Sequence, residues 1–251
     1  MSLPRLIADR RNLGTKAPIS EALIEIRVPN RDLDAETLQG VGLKVGDFPR
    51  ILAQREFEAA LSLGGQASVT STMHDVRGFL FINDTQRRAF QARRDGFTYS
   101  RLHGYTSWQE LRDEARDAWH HYVTATAPER TLRLGVRYIN RIRIPSEASA
   151  LADWFKIYPQ FPRELGPIDG FNEHISLSHS VSPEHKAIVN FRPAPFDGGP
   201  FRFFIYDIQA WLDQEVPAAS ADIWDILEDL REFKNDLFFG FMGPKLKESL
   251  Q

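Results

Sequence analysis

Arginines alternate along one stretch of the chain, TLRLGVRYINRIRIP at 131–145. Successive side chains of an extended segment point to opposite faces. Leu132, Leu134, Val136, Tyr138, Ile142 and Ile144 therefore share one side of a long strand, and Arg133, Arg137, Ile139, Arg141 and Arg143 share the other. Guanidinium groups at alternate strand positions stand about 6.5–7 Å apart, and each offers a planar fork of donors that suits phosphate. The chemistry this predicts is the holding of an anion: a nucleotide, a polyphosphate or a nucleic-acid backbone. The competing role is ion pairing with Glu21, Glu25 or Asp207, because an arginine removed from water must be paired. The two roles are compatible if a ligand displaces the carboxylates, so Arg133, Arg137, Arg141, Arg143, Glu21, Glu25 and Asp207 form the candidate ligand-binding set.

Other constellations are weaker. Glu21, Glu25 and Arg27 resemble the acidic-basic strand of triphosphate tunnel enzymes, with Leu23 where a middle carboxylate belongs. A metal-dependent enzyme acting on a phosphorylated substrate is thus the alternative reading, with Arg133, Arg137 and Arg141 as clamps and Glu21 or Glu25 as metal ligand or base. Of the seven histidines, His120 and His121 diverge by about 100° on a helix, and His174 and His179 point to opposite faces of a strand. Neither pair chelates easily, and no metal or cofactor site is predicted. Ser176, Ser178, Ser180 and Ser182 share a strand face without an identifiable His-Asp partnership, so no catalytic set emerges. Phe90, Phe97 and Tyr99 interleave with Arg93, Arg94 and Arg101, a pattern compatible with stacking single-stranded nucleic acid and equally with a core. Phe238, Phe239, Phe241 and Met242 exceed the apolar stripe that one core face needs, which predicts a self-association or partner surface.

The chain that positions these groups has 251 residues, 42% hydrophobic and 26% charged, an ordinary globular balance. Its lack of cysteine excludes disulfides and thiolate ligands. No apolar run long enough to span a bilayer occurs and the first residues lack an apolar signal core, so a cytoplasmic location away from membranes is expected. Residues 1–145 carry a net charge of +5 and residues 146–251 a net −8, an asymmetry that orients an anionic partner or docks one copy on another.

A polar arm at 1–16 precedes a predicted strand at Ile19–Val28. A helix begins near Asp34 and is weakened at Gly40 and Gly42; Ile51–Leu63 satisfies both helical and strand patterns. Short aromatic strands follow at 79–84, 88–94 and 97–102, with Asp95-Gly96 as a hairpin turn. Ser107 and Glu110 form a capping box for a helix whose Trp108, Leu111, Ala115, Trp119 and Tyr122 recur at core spacing. After the arginine strand come a short helix at 148–155, an irregular Pro/Gly-rich connection, strands at 173–181, 187–193 and 201–210, and a final helix capped by Ser220 and broken at Gly243-Pro244. The order repeats: leading strand, helical segment, antiparallel strands, long amphipathic helix. It predicts an α+β protein of two tandem β-α-β(3–4)-α units, 17–128 and 129–251. They would form one curved, mainly antiparallel sheet with helices on one face.

APISEALIEIRV at 17–28, GFTYSRLHGYTSWQEL at 96–111, LGVRYINRIRIP at 134–145 and LREFKNDLFFGFM at 230–242 together resemble the TIGR04255 family of bacterial and archaeal proteins. The pieces span nearly the whole chain. Where that family tends to carry a histidine early in the last helix this sequence has Arg231, and no catalytic residue transfers. The family's patchy distribution implies an accessory role, in a mobile or defence-linked neighbourhood. The expected function is a non-enzymatic binding protein for an anionic small molecule or nucleic acid, with a homodimer or another protein as the further expected partner.

Overall fold

The computed structural model describes residues 17–29, 31–61, 69–148, 150–160 and 170–250, with Leu3, Pro4, Leu6, Ile7, Leu13 and alternate positions of 162–168; side chains are described outside 55–61 and 69–75. The elements are β1 (Ile19–Arg27), α1 (Ala35–Val45), β2 (Arg50–Leu61), β3 (Val69–Ile82), β4 (Arg88–Arg93), β5 (Gly96–Arg101), α2 (Trp108–Thr126) and β6 (Arg130–Pro145). A single 3-10 turn (Leu151–Asp153), β7 (Glu173–Ser178), β8 (His185–Pro193), β9 (Phe201–Pro217), α3 (Asp222–Phe241) and α4 (Pro244–Ser249) complete the order. The nine described strands form one antiparallel sheet ordered β2-β3-β4-β5-β1-β6-β9-β8-β7.

One face of this sheet is apolar from edge to edge. The cross-strand row Phe81, Phe90, Tyr99, Ile24, Val136, Ala210, Ala187 follows directly from the pairing register. All seven are buried, each large one worth about 1.5–3 kcal/mol. α2 lies over this face, with the Trp119 and Tyr122 rings against Phe97 at 5.8 and 5.9 Å. α3 covers the second half, where Tyr206 stacks on Phe241 at 3.8 Å and donates its hydroxyl to the Leu237 carbonyl. Burial pushes the Tyr122 hydroxyl up to about 12 and holds Tyr138 and Tyr206 well above the usual phenol range.

Several local expectations change. The ambiguous segment is, through Leu61, strand β2, paired antiparallel to β3, and residues 62 and 63 lie outside the described residues. α1 is capped by Asp34, which accepts from the Thr37 amide, and it runs on through both glycines. Gly42 is required there, since a Cβ would lie 2.0 Å from the Phe81 ring. The β4–β5 turn is Arg94-Asp95, with Gly96 as the first paired residue at φ 151°; a side chain at Gly96 would strike the Ile26 carbonyl. Only half of the capping box forms: Ser107 accepts from the Glu110 amide, while the Glu110 carboxylate turns to Thr106 and Arg101. The helix expected at 148–155 shortens to the 3-10 turn, and β9 extends seven residues past its expected end. Leu132 leaves the apolar side and is 38% exposed while Thr131 is fully buried, because the β6–β9 register shifts between Thr131 and Arg133.

The described arm residues dock on α3: Leu3 donates its amide to Asp229, and Leu6 and Ile7 donate theirs to the buried Asp236. Near them, beyond β7, His179 is buried with its ring edge-on to Phe233 at 5.0 Å. Its Nδ1 accepts from the Val181 and Ser182 amides. Burial, and then the neighbouring His185, hold its pKa below the usual imidazole value of 6.5.

Two outcomes follow from these contacts. Gly42→Ala drives a methyl into Phe81 and lowers unfolding free energy by about 1–3 kcal/mol in denaturant titrations. His179 favours its neutral form in the fold, so its stabilisation is complete above pH 6.5 and is lost as pH falls through the depressed folded-state pKa. Melting temperature measured across acid pH therefore falls less steeply in His179→Asn, whose side-chain oxygen can still accept an amide.

Candidate anion-binding face of the sheet

Among the described residues no helix packs on the other face of the sheet, and β6 runs near its middle between β1 and β9. Because Leu134, Val136, Tyr138, Ile142 and Ile144 are buried beneath the helices, the period-two pleat leaves Arg133, Arg137, Arg141 and Arg143 on the open side. Their four environments differ.

Arg137 is held at two points by Asp207, Nε to Oδ1 at 2.9 Å and Nη2 to Oδ2 at 2.7 Å. Asp207 is 8% exposed, while the guanidinium side chain is 41% exposed. Hydrogen bonding to Asp207 raises the Arg137 pKa and so keeps the charge in place. Arg133 pairs with Asp213 through Nε at 2.5 Å and lies 5.3 Å from the Trp211 ring centroid. Arg141 sits 4.0 Å over Phe203, and Arg143 sits 4.5 Å over Phe201. Among the described residues neither meets a carboxylate. A ring takes up no oxygen-directed hydrogen bond, and among the described residues neither guanidinium is hydrogen-bonded to an acceptor oxygen, so both keep donors for a ligand. Ion pairing thus accounts for Arg133 and Arg137 and leaves Arg141 and Arg143 available.

The acidic members of the predicted set divide as well. Glu25 accepts from Arg27 Nε at 2.9 Å and faces Arg93 Nη2 at 3.5 Å. Glu21 is opposite Ile139 in the β1–β6 register, two residue pairs from Arg137 and on the same face. Burial raises its pKa although Arg137 opposes that shift. Among the described residues no three His, Asp or Glu side chains gather into a metal-binding group.

Phe238, Phe239, Phe241 and Met242 are between 1 and 8% exposed. They are not a partner surface: they enter a second core with Phe155, Phe191, Phe204 and Tyr206, which consumes the apolar surplus of α3. Phe90, Phe97 and Tyr99 are likewise core, and Arg101 turns to Glu110 and Glu114 on α2. Arg231 pairs with Glu228 and Glu232 and lies over the Trp108 ring. No helix among the described residues is long and apolar enough to cross a membrane.

Residues outside the predicted set complete the face. Trp211, Phe203 and Phe201 on β9 supply the rings beneath the arginines, and Asp213 supplies the second carboxylate. Arg192 of β8 pairs in register with Ile205, which is paired in turn with Arg141. It is exposed and, among the described residues, has no carboxylate partner. The alternation of FRFFI at 201–205 carried the signal for the rings, but only the pairing of β9 with β6 sets them under the arginines. A cleft of about 250 Å³ between α2 and the start of α3, walled by Trp119, Trp224 and Arg116, lies on the helical side, away from this face. Comparisons with protein-family models, curated proteins and solved structures found no match.

Arg137→Ala leaves the nearly buried Asp207 carboxylate unpaired and lowers unfolding free energy by about 1–2 kcal/mol, a buried-pair cost reduced by solvent screening of the half-exposed guanidinium. The double variant Arg137→Met/Asp207→Leu recovers most of that loss in the same denaturant titration.

Proposed function

We propose that this protein is a non-enzymatic binding protein that holds an anionic ligand, a nucleotide, polyphosphate or nucleic acid, on the arginine-lined open face of its sheet. The observation that carries this reading is the unequal treatment of the four β6 arginines. Asp213 and Asp207 take up Arg133 and Arg137, whereas Arg141 and Arg143 rest on phenylalanine rings with their N–H donors unused. Charged donors left open on a firm strand attract phosphate oxygens without first breaking an internal pair. Arg137 and Asp207 then form a reserve, since the pair is solvent-accessible on its arginine side.

The same reading takes the chain as two tandem units joined at β1 and β6. Its support is the strand order, which runs outward from the centre as β1-β5-β4-β3-β2 on one side and β6-β9-β8-β7 on the other. In each half the leading strand pairs with the last strand before the long helix, and the Leu151–Asp153 turn occupies the place of α1 in the sequence order. Such a doubling brings two leading strands together at the middle, which is where the arginines lie.

Isothermal titration with tripolyphosphate, nucleoside triphosphates and short oligonucleotides tests the function. At least one of them binds the wild type, binding weakens with added salt, and Arg141→Gln/Arg143→Gln weakens it at least about ten-fold, roughly the value of one lost charge-assisted contact. Equal affinity of wild type and double variant for every anion refutes the reading.

A further inference from the structure

The exposed end of the β6–β9 pair combines two features that a simple phosphate site does not need. The first is aromatic. Phe201 and Phe203 lie two residues apart on β9, so they share a face at about 6.5–7 Å spacing. Phe201 is 37% exposed. The Arg141 guanidinium carbon stands 4.0 Å from the Phe203 ring centroid and that of Arg143 4.5 Å from the Phe201 centroid, both within cation–π contact. Both arginines are exposed. The second feature is the spread of charge. Arg141 and Arg143 on β6 and Arg192 on β8 flank β9 from both sides, and none of them meets a carboxylate among the described residues. The acidic groups of the neighbouring connections, Glu147 and Asp197, are exposed and pair with none of the three.

We infer that this corner of the sheet, Arg141 on Phe203 and Arg143 on Phe201 with Arg192 across the strand, is a binding platform for single-stranded nucleic acid. The inference rests on the anion-binding reading above and names its ligand class. A guanidinium supported on a ring is a flat surface on which a base stacks, while its edge N–H groups reach the adjacent phosphate. The i, i+2 spacing of the supports suits successive bases of an extended strand. Free phosphate or polyphosphate uses the charge and ignores the rings. A duplex hides its base faces, so it gains nothing from them. The aromatic-basic pattern that the sequence displays in the β4–β5 hairpin is consumed by the core there, and an equivalent pattern is assembled here from two strands distant in sequence.

The test is fluorescence anisotropy with a labelled single-stranded oligothymidylate of roughly a dozen nucleotides, set against the matching duplex and against tripolyphosphate as competitor. The single strand binds the wild type more tightly than the duplex does. Arg141→Lys/Arg143→Lys, which keeps both charges and loses the planar stack, weakens the single strand about ten-fold and leaves tripolyphosphate affinity within about two-fold. Phe201→Leu, at an exposed ring, weakens the single strand in the same direction while the melting temperature stays near that of the wild type. Unchanged single-strand affinity in both variants, or a duplex bound as tightly as the single strand, overturns the platform while retained tripolyphosphate binding preserves the anion site. Failure of the wild type to bind any of the three removes both.

Discussion

Everything on the open face follows from β6 being clamped between β1 and β9 in fixed register with one of its two sides buried. Val136 is paired to Ile24 on one side and to Ala210 on the other, and all three are under the helices. A slip of one residue would turn Leu134, Val136 and Tyr138 outward and push arginines into the core, which is far costlier than any contact the arginines make. The apolar side therefore dictates where the guanidiniums stand. Their chemistry is a consequence of packing on the opposite face.

That constraint explains why one strand carries two kinds of arginine. In the N-terminal half of β6, neighbouring acids on β9 are close enough to neutralise Arg133 and Arg137, and the Arg137–Asp207 pair is tight because Asp207 is nearly buried and has to be satisfied. Toward the C-terminal end, β9 offers Ile205, Phe203 and Phe201 instead. A guanidinium there gains contact from a ring and not from a carboxylate, so charge is retained toward the C-terminal end of β6 and cancelled in its N-terminal half.

The helices reflect the same economy. α3 is apolar on most sides only in its last turns, at Leu237–Phe241, where it meets the sheet on one side and arm residues on another, with Ile7 beside Gly240 and the Leu6 and Ile7 amides on Asp236. Read as an isolated helix, its surplus of phenylalanine signals a partner. In the fold the partners are intramolecular, Phe155, Phe191 and Phe204.

The sequence by itself determined the class of fold, most of the strands, both long helices and the sidedness of β6, because period-two and period-3.6 hydrophobic patterns are local properties that burial enforces directly. It also placed Asp207 beside Glu21 and Glu25 among the candidate partners of the arginines, and the fold selects Asp207 for Arg137. It did not separate strand from helix at 51–61, where alternation and helix-forming residues coexist and only pairing with β3 decides. Nor did it foresee the exposure of Leu132, which depends on a register shift against a distant strand. Tertiary structure alone decided which arginines are neutralised, brought Phe201, Phe203 and Arg192 beside Arg141 and Arg143, and drew Phe238, Phe239 and Phe241 inside. Each of those outcomes depends on which strands become neighbours, a long-range choice that no alternation within a single segment encodes.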